Sequence, residues 1–145
     1  YYTELLVDIR EELYLPQSPH FQDSWSGKSM SSVRRLMQIA DPPTAIVCSN
    51  DGFAIACIKG LQQLGLRVPD DVSVIGYNNE LISTLFHPEL TTIRQPLEEI
   101  ASSSIEMLRS ILDQEKLDHS QLASMRRIIR PELIERDSCA PCRSR

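Results

Sequence analysis

The stretch Ala45-Ile46-Val47-Cys48-Ser49-Asn50-Asp51-Gly52, answered by Val72-Ser73-Val74-Ile75-Gly76-Tyr77-Asn78-Asn79, decides the fold. Ala45 to Cys48 is a short apolar run, and Ser49 to Gly52 are residues that end a strand and open a helix. From Ala54 to Leu64 the apolar positions are Ala54, Cys57, Ile58, Leu61 and Leu64, the spacing of one buried helix face. Gly65 supplies the left-handed residue that commonly closes a helix. After the turn Val68-Pro69-Asp70-Asp71 comes a second apolar strand, Val72 to Tyr77. About 33 residues arranged this way make a right-handed parallel βαβ unit. Open parallel sheets bind ligands just beyond the carboxyl ends of their strands. Asn50 and Asn78 stand at those ends and are the first candidates for a binding site.

Bulk properties narrow the class. The 145 residues suffice for one domain with a core, and 41% hydrophobic with 24% charged residues is an ordinary globular composition. No apolar run approaches the roughly 20 residues of a membrane span. Fifteen basic against twenty acidic residues give a net charge of -5. Nucleic-acid surfaces need clustered Lys and Arg to displace counterions, and the nearest cluster, Arg126-Arg127 with Arg130, reads as exposed strand residues. This stretch is not expected to bind DNA by itself. It begins with Tyr1-Tyr2 in an amphipathic pattern without a signal peptide, and is read as a piece of something longer.

Of the four cysteines, Cys48 in the strand and Cys57 on the helix face read as small core residues. Cys139-Ala140-Pro141-Cys142 has redox or zinc spacing, but it lies in a polar tail without a second ligand pair. No metal site and no cofactor are expected. The lack of a disulfide framework fits a reducing cytoplasm.

Outward from the βαβ unit, Leu5, Leu6, Ile9 and Leu13 mark an amphipathic helix ending before Pro16. Leu15 to Phe21, broken by Pro16 and Pro19, allows only a short or edge strand. A helix from Lys28 to Ala40 is expected to bury Val33, Leu36, Met37 and Ala40, with Asp41-Pro42-Pro43 stopping it. Trp25, in the loop before it, reads by itself as a half-buried aromatic, or as a platform for stacking on a ring. Leu81, Ile82, Leu85 and Phe86 concentrate apolar residues in a connection, a pattern of core or of a subunit interface. Leu90 to Ile93 is a short strand. Leu97 to Leu112 is a strongly patterned helix after Gln95-Pro96, with Glu98-Glu99 at the positive end of its dipole. A polar loop, 113–124, leads to short strands at 126–130 and 133–136, and the chain from Ser138 is expected to be disordered.

No catalytic motif emerges: there is no G-x-S-x-G, G-x-x-x-x-G-K, H-E-x-x-H or G-x-G-x-x-G. Asp70-Asp71 and Glu98-Glu99 are explained by a turn and a helix start. The chain is not read as an enzyme.

Four segments together resemble the LacI/GalR family of bacterial transcription regulators. They are Pro43 to Asp51 (PTAIVCSND), Gly65 to Asn78 (GLRVPDDVSVIGYN), Pro88 to Pro96 (PELTTIRQP) and Pro131 to Arg136 (PELIER), in the family's order and spacing. The resemblance implies an α/β fold with a doubly wound, mainly parallel sheet: most of the C-terminal lobe of a periplasmic-binding-protein-like domain, truncated. Residues 1–95 and 123–138 would form that lobe, with 139–145 a tail. Residues 96–115 would carry a helix that normally packs on the N-terminal lobe, absent here along with the DNA-binding headpiece. The implied function is effector binding and dimerisation in a cytoplasmic repressor, where a sugar, nucleobase or similar small molecule alters operator affinity. A periplasmic sugar-binding protein of a transporter is the alternative.

Carried over by position, Asn50 matches a ligand-contacting residue, Asp51 a cap of the following helix near the site, and Trp25 an aromatic that stacks on ligand. Asn78 stands where many members have aspartate, a departure that suits a ligand with an acceptor group or negative charge. Ile55, Leu81, Leu85 and Phe86 match the family's dimer contact. Operator DNA would be reached only through the missing N-terminal domain.

Overall fold

The computed structural model describes residues 28–113 and 126–141. The expected helix over Leu5–Leu13, the segment Leu15–Phe21, Trp25, most of the 113–124 loop and Cys142 lie outside the described residues. The described elements run α1 (Lys28–Met37), β1 (Ala45–Val47), α2 (Asp51–Gln63), β2 (Ser73–Tyr77), a 3₁₀ turn (Leu81–Thr84), β3 (Thr91–Arg94), α3 (Leu97–Leu112) and β4 (Glu132–Ile134).

The strands form one sheet in the order β1-β2-β3-β4. β1 pairs parallel with β2 (Ala45 opposite Ser73), and β2 parallel with β3 (Ile75 opposite Thr91). β4 returns antiparallel along β3, with Leu133 opposite Ile93. This is the mixed α/β, mainly parallel architecture that the strand–helix–strand pattern predicts.

Side-chain alternation explains the layering. Val74 and Thr92 point to the buried face, where α2 lays Ala54, Ile55, Ile58 and Leu61 against them. Val33 and Leu36 of α1 close the core from behind α2. Helix α2 ends as expected: Gly65 adopts φ +77, and the N–H groups of Gly65 and Leu66 return to the carbonyls of Gln62 and Leu61.

Several expectations are corrected. Helix α1 stops at Met37, and Ala40 is exposed, because Pro42-Pro43 bias the preceding residues away from helix and nothing buries Ala40. Residues 126–130 form no strand. Arg127 instead turns to α3, donating to Ser103 Oγ at 3.1 Å and to Glu106 Oε2 at 2.7 Å. Residues 138–141 are ordered rather than loose. Ser138 is fully buried, donates to the Val74 carbonyl at 2.6 Å and accepts from Thr91 N–H at 2.8 Å, bridging β2 and β3 where they begin. Cys139 follows, its thiol donating to the same Val74 carbonyl at 3.4 Å.

Candidate functional site

Three parallel strands end in polar residues on the same edge of the sheet: Asn50 just after β1, Asn78 after β2 and Gln95 after β3. One buried carboxylate, that of Asp51, ties the segments that carry them. Asp51 Oδ1 accepts from the Thr92 hydroxyl at 2.5 Å, and Oδ2 accepts from Glu80 N–H at 2.6 Å. The start of α2 is thereby fastened to both β3 and the loop after β2. The negative charge sits in the first turn of α2, where the helix dipole favours it.

The cap of α2 differs from expectation. Asn50, not Asp51, is the N-cap: its backbone is extended (φ -157, ψ 168) and its Oδ1 accepts from Phe53 N–H at 2.8 Å. Asp51 lies one position inside the helix, which turns its carboxylate toward the sheet.

The loop after β2 is held in an uncommon backbone conformation. Asn78 has φ 102 and Asn79 φ 51, a region where asparagine is among the better-tolerated side chains. Three successive N–H groups fix it: Asn78 to the Ile93 carbonyl at 2.9 Å, Asn79 to Thr92 Oγ at 3.3 Å, and Glu80 to Asp51. Asn78 Oδ1 accepts from Gln95 Nε2 at 2.7 Å, and its Nδ2 donates to Glu80 Oε1 at 3.4 Å. Behind this rim, Arg136 donates to Asn79 Oδ1 (2.7 Å), the Leu90 carbonyl (2.6 Å) and Ser83 Oγ (3.0 Å). Its backbone N–H reaches Thr91 Oγ at 2.9 Å.

Cys48 approaches this edge from β1. Hydrogen bonding to the Cys57 thiol, then burial, then the charges of Cys57 and Asp51 push its own thiol well above the ordinary cysteine range. Among the described residues no cluster of three or more His, Cys, Asp or Glu could hold a metal ion. A separate hollow of about 320 Å³, lined by Pro43, Leu66, Pro69 and Ser73 among others, opens at the amino ends of the strands. That is the end opposite to where parallel sheets bind ligands.

Of the residues expected at the ligand, Asn50 and Asn78 thus share one edge, and Trp25 lies outside the described residues. The composition of the edge also includes Glu80, Gln95, Thr92 and Arg136, which motif reading did not single out. Gln95 carried a usable signal, because it follows the third strand as Asn50 and Asn78 follow the first two. The expected dimer contact divides. Leu81 and Leu85 are 75% and 68% exposed, whereas Phe86 is half-buried against the core with Lys59 Nζ 4.6 Å from its ring centre. Ile55 is only 1% exposed and belongs to the core beneath the sheet, so it is removed from the interface set.

The sheet and its helices have a periplasmic-binding-protein-like architecture, and residues 3–139 match the family described as a periplasmic binding protein-like domain. The chain belongs to that family, in its LacI-type regulator branch. It is 43% identical over 109 residues to the HTH-type transcriptional repressor PurR of Aliivibrio salmonicida (strain LFI1238), covering 74% of this chain. It spans only 31% of that relative's length. The LacI family transcriptional regulator from Bifidobacterium animalis subsp. lactis DSM 10140 superposes with a TM-score of 0.67 at 27% identity, covering 79% of this chain and 40% of that one. A LacI family transcriptional regulator from Enterococcus faecalis V583 with bound ribose gives 0.63 at 29% identity, with 79% and 40% covered.

Proposed function

We propose that the chain forms most of one lobe of the effector-binding domain of a cytoplasmic, homodimeric transcriptional repressor. Asn50, Asn78 and Trp25 contact a small molecule such as a sugar or nucleobase, and residues 1–95 with 123–138 form the lobe. Operator DNA is reached through a separate N-terminal domain. The carrying observation is the Asp51 tie, which fastens the start of α2 to β3 and to the loop that holds the positive-φ Asn78. Strained, over-determined backbone at a strand end is a common mark of a ligand site. A repressor among the relatives and a ribose-bound regulator among the structural neighbours support this reading over a transporter's binding protein. Effector binding would act through its difference in affinity for two lobe arrangements.

The test is calorimetric titration of the intact protein with D-ribose, D-galactose, D-glucose and uracil. Asn78→Ala should weaken binding of the ligand found by about 1–3 kcal/mol, since a buried partner group loses its hydrogen bond. Asn50→Ala should weaken it too and also cost roughly 1 kcal/mol of stability as a lost cap. Unchanged affinity in both variants would remove these residues from the site.

A further inference from the structure

The hydrogen bonds already made at the strand ends limit what a ligand can find there. Both oxygens of Asp51 are taken, by Thr92 and by the Glu80 N–H. Asn50 Oδ1 is taken by Phe53 N–H, and Asn78 Oδ1 by Gln95 Nε2. The N–H groups of residues 78, 79 and 80 all point to protein acceptors, so this loop offers no backbone cradle for an anion. Among the groups at this edge still open to a ligand are the amide N–H groups of Asn50 and Asn78 and the exposed carboxylate of Glu80. Its one hydrogen bond among the described residues is the long contact from Asn78 Nδ2.

Glu80 also sets the direction of the Asn78 amide. A carboxylate only accepts, so the amide group facing it is the NH₂, which leaves Oδ1 for Gln95. The Glu80 backbone is pinned by Asp51 on one side, and its carbonyl accepts from the Ser83 hydroxyl at 2.7 Å on the other. Its side chain therefore leaves a fixed point on the rim.

We infer that Glu80 is the specificity-determining acceptor of this site, working with the Asn78 amide to select a neutral ligand that presents hydroxyl or N–H donors. This rests on the reading of the strand ends as an effector site. A ligand carboxylate or phosphate at the same place would meet Glu80, with the Asp51 charge behind it, while Arg136 is already engaged by Asn79 Oδ1, the Leu90 carbonyl and Ser83 Oγ. Like charges in one small volume oppose each other's ionised forms. A donor group meets the opposite situation, because a hydrogen bond to an ionised acceptor is roughly twice as strong as one between neutral groups.

Matched ligands test this on the intact protein by titration calorimetry: D-galactose against D-galacturonate, D-glucose against D-glucuronate, and uracil against orotate. The wild type should bind a neutral member at least about tenfold more tightly than its acid counterpart, and Glu80→Gln should weaken the neutral ligand about tenfold and narrow that gap. A purely structural role for Glu80 would weaken both members equally and leave their ratio unchanged. An unchanged ratio, or an acid bound as tightly as its neutral counterpart by the wild type, overturns the inference while leaving the effector site standing. Binding of neither member of any pair overturns the effector-site reading, and this inference with it.

Discussion

Gly76 and Asp51 compete for one small volume, and that competition fixes two residues at once. A Cβ on Gly76 would lie 2.2 Å from Asp51 Oδ1 and 2.8 Å from Leu90 Cδ2. Neither neighbour can yield cheaply, since the carboxylate holds Thr92 and Glu80 and Leu90 is fully buried. Gly76→Ala should therefore destabilise the protein by about 3 kcal/mol, read as a lower urea midpoint, with ligand binding lost in parallel. A midpoint within error of the wild type would mean that Asp51 is not held in this volume. At this scale the sequence was informative about residue type and silent about direction. Asn and Asp are both good helix caps, and adjacent positions on a helix differ by a large rotation. Which one caps and which one turns inward to the sheet depends on Thr92 and Glu80, which are distant in sequence and invisible to local spacing.

At the scale of elements, periodicity carried the reading well where an element buries one continuous face. The two strands and helix between Ala45 and Tyr77, and helix α3, appear where alternation and helical spacing predict them. It failed where a segment is held by isolated polar bonds to remote partners. Residues 126–130 look strand-like because isoleucines and arginines are interleaved, yet Arg127 is bound to α3 instead of to a strand. Ser138 looks like tail composition, yet one hydroxyl joins β2 to β3 from more than forty residues away. Ser138→Ala leaves Thr91 N–H without its acceptor in a fully buried position, which should cost about 1–3 kcal/mol. Hydrogen exchange would show the loss first at Thr91 and Val74. Equal protection in the variant and the wild type would count against a structural role for the tail.

For the whole molecule, two exposed apolar sets call for different partners. Leu81 and Leu85 flank a turn whose Ser83 is buried, so they project from a rigid base. On α3, Leu97, Ile105, Leu108 and Leu112 are all more than half exposed, and Ser103 is the helix's only buried residue. An amphipathic helix of this length gains most of its stability from burying such a stripe, which singles out α3 as the element most dependent on more chain than the described residues provide. The proposed assignment gives the α3 face to a second lobe of the same protomer and the Leu81–Leu85 face to a second protomer. The two are separable in the intact protein. Leu85→Asp should convert a dimer to a monomer on a sizing column while leaving the thermal midpoint of the monomer nearly unchanged, because the site is exposed within the chain. Leu108→Asp should do the reverse, retaining the dimer and destabilising the protomer by about 2–4 kcal/mol through a charge placed in a lobe contact. If Leu108→Asp dissociates the dimer and Leu85→Asp does not, the two faces exchange roles, and α3 rather than the turn after β2 carries self-association.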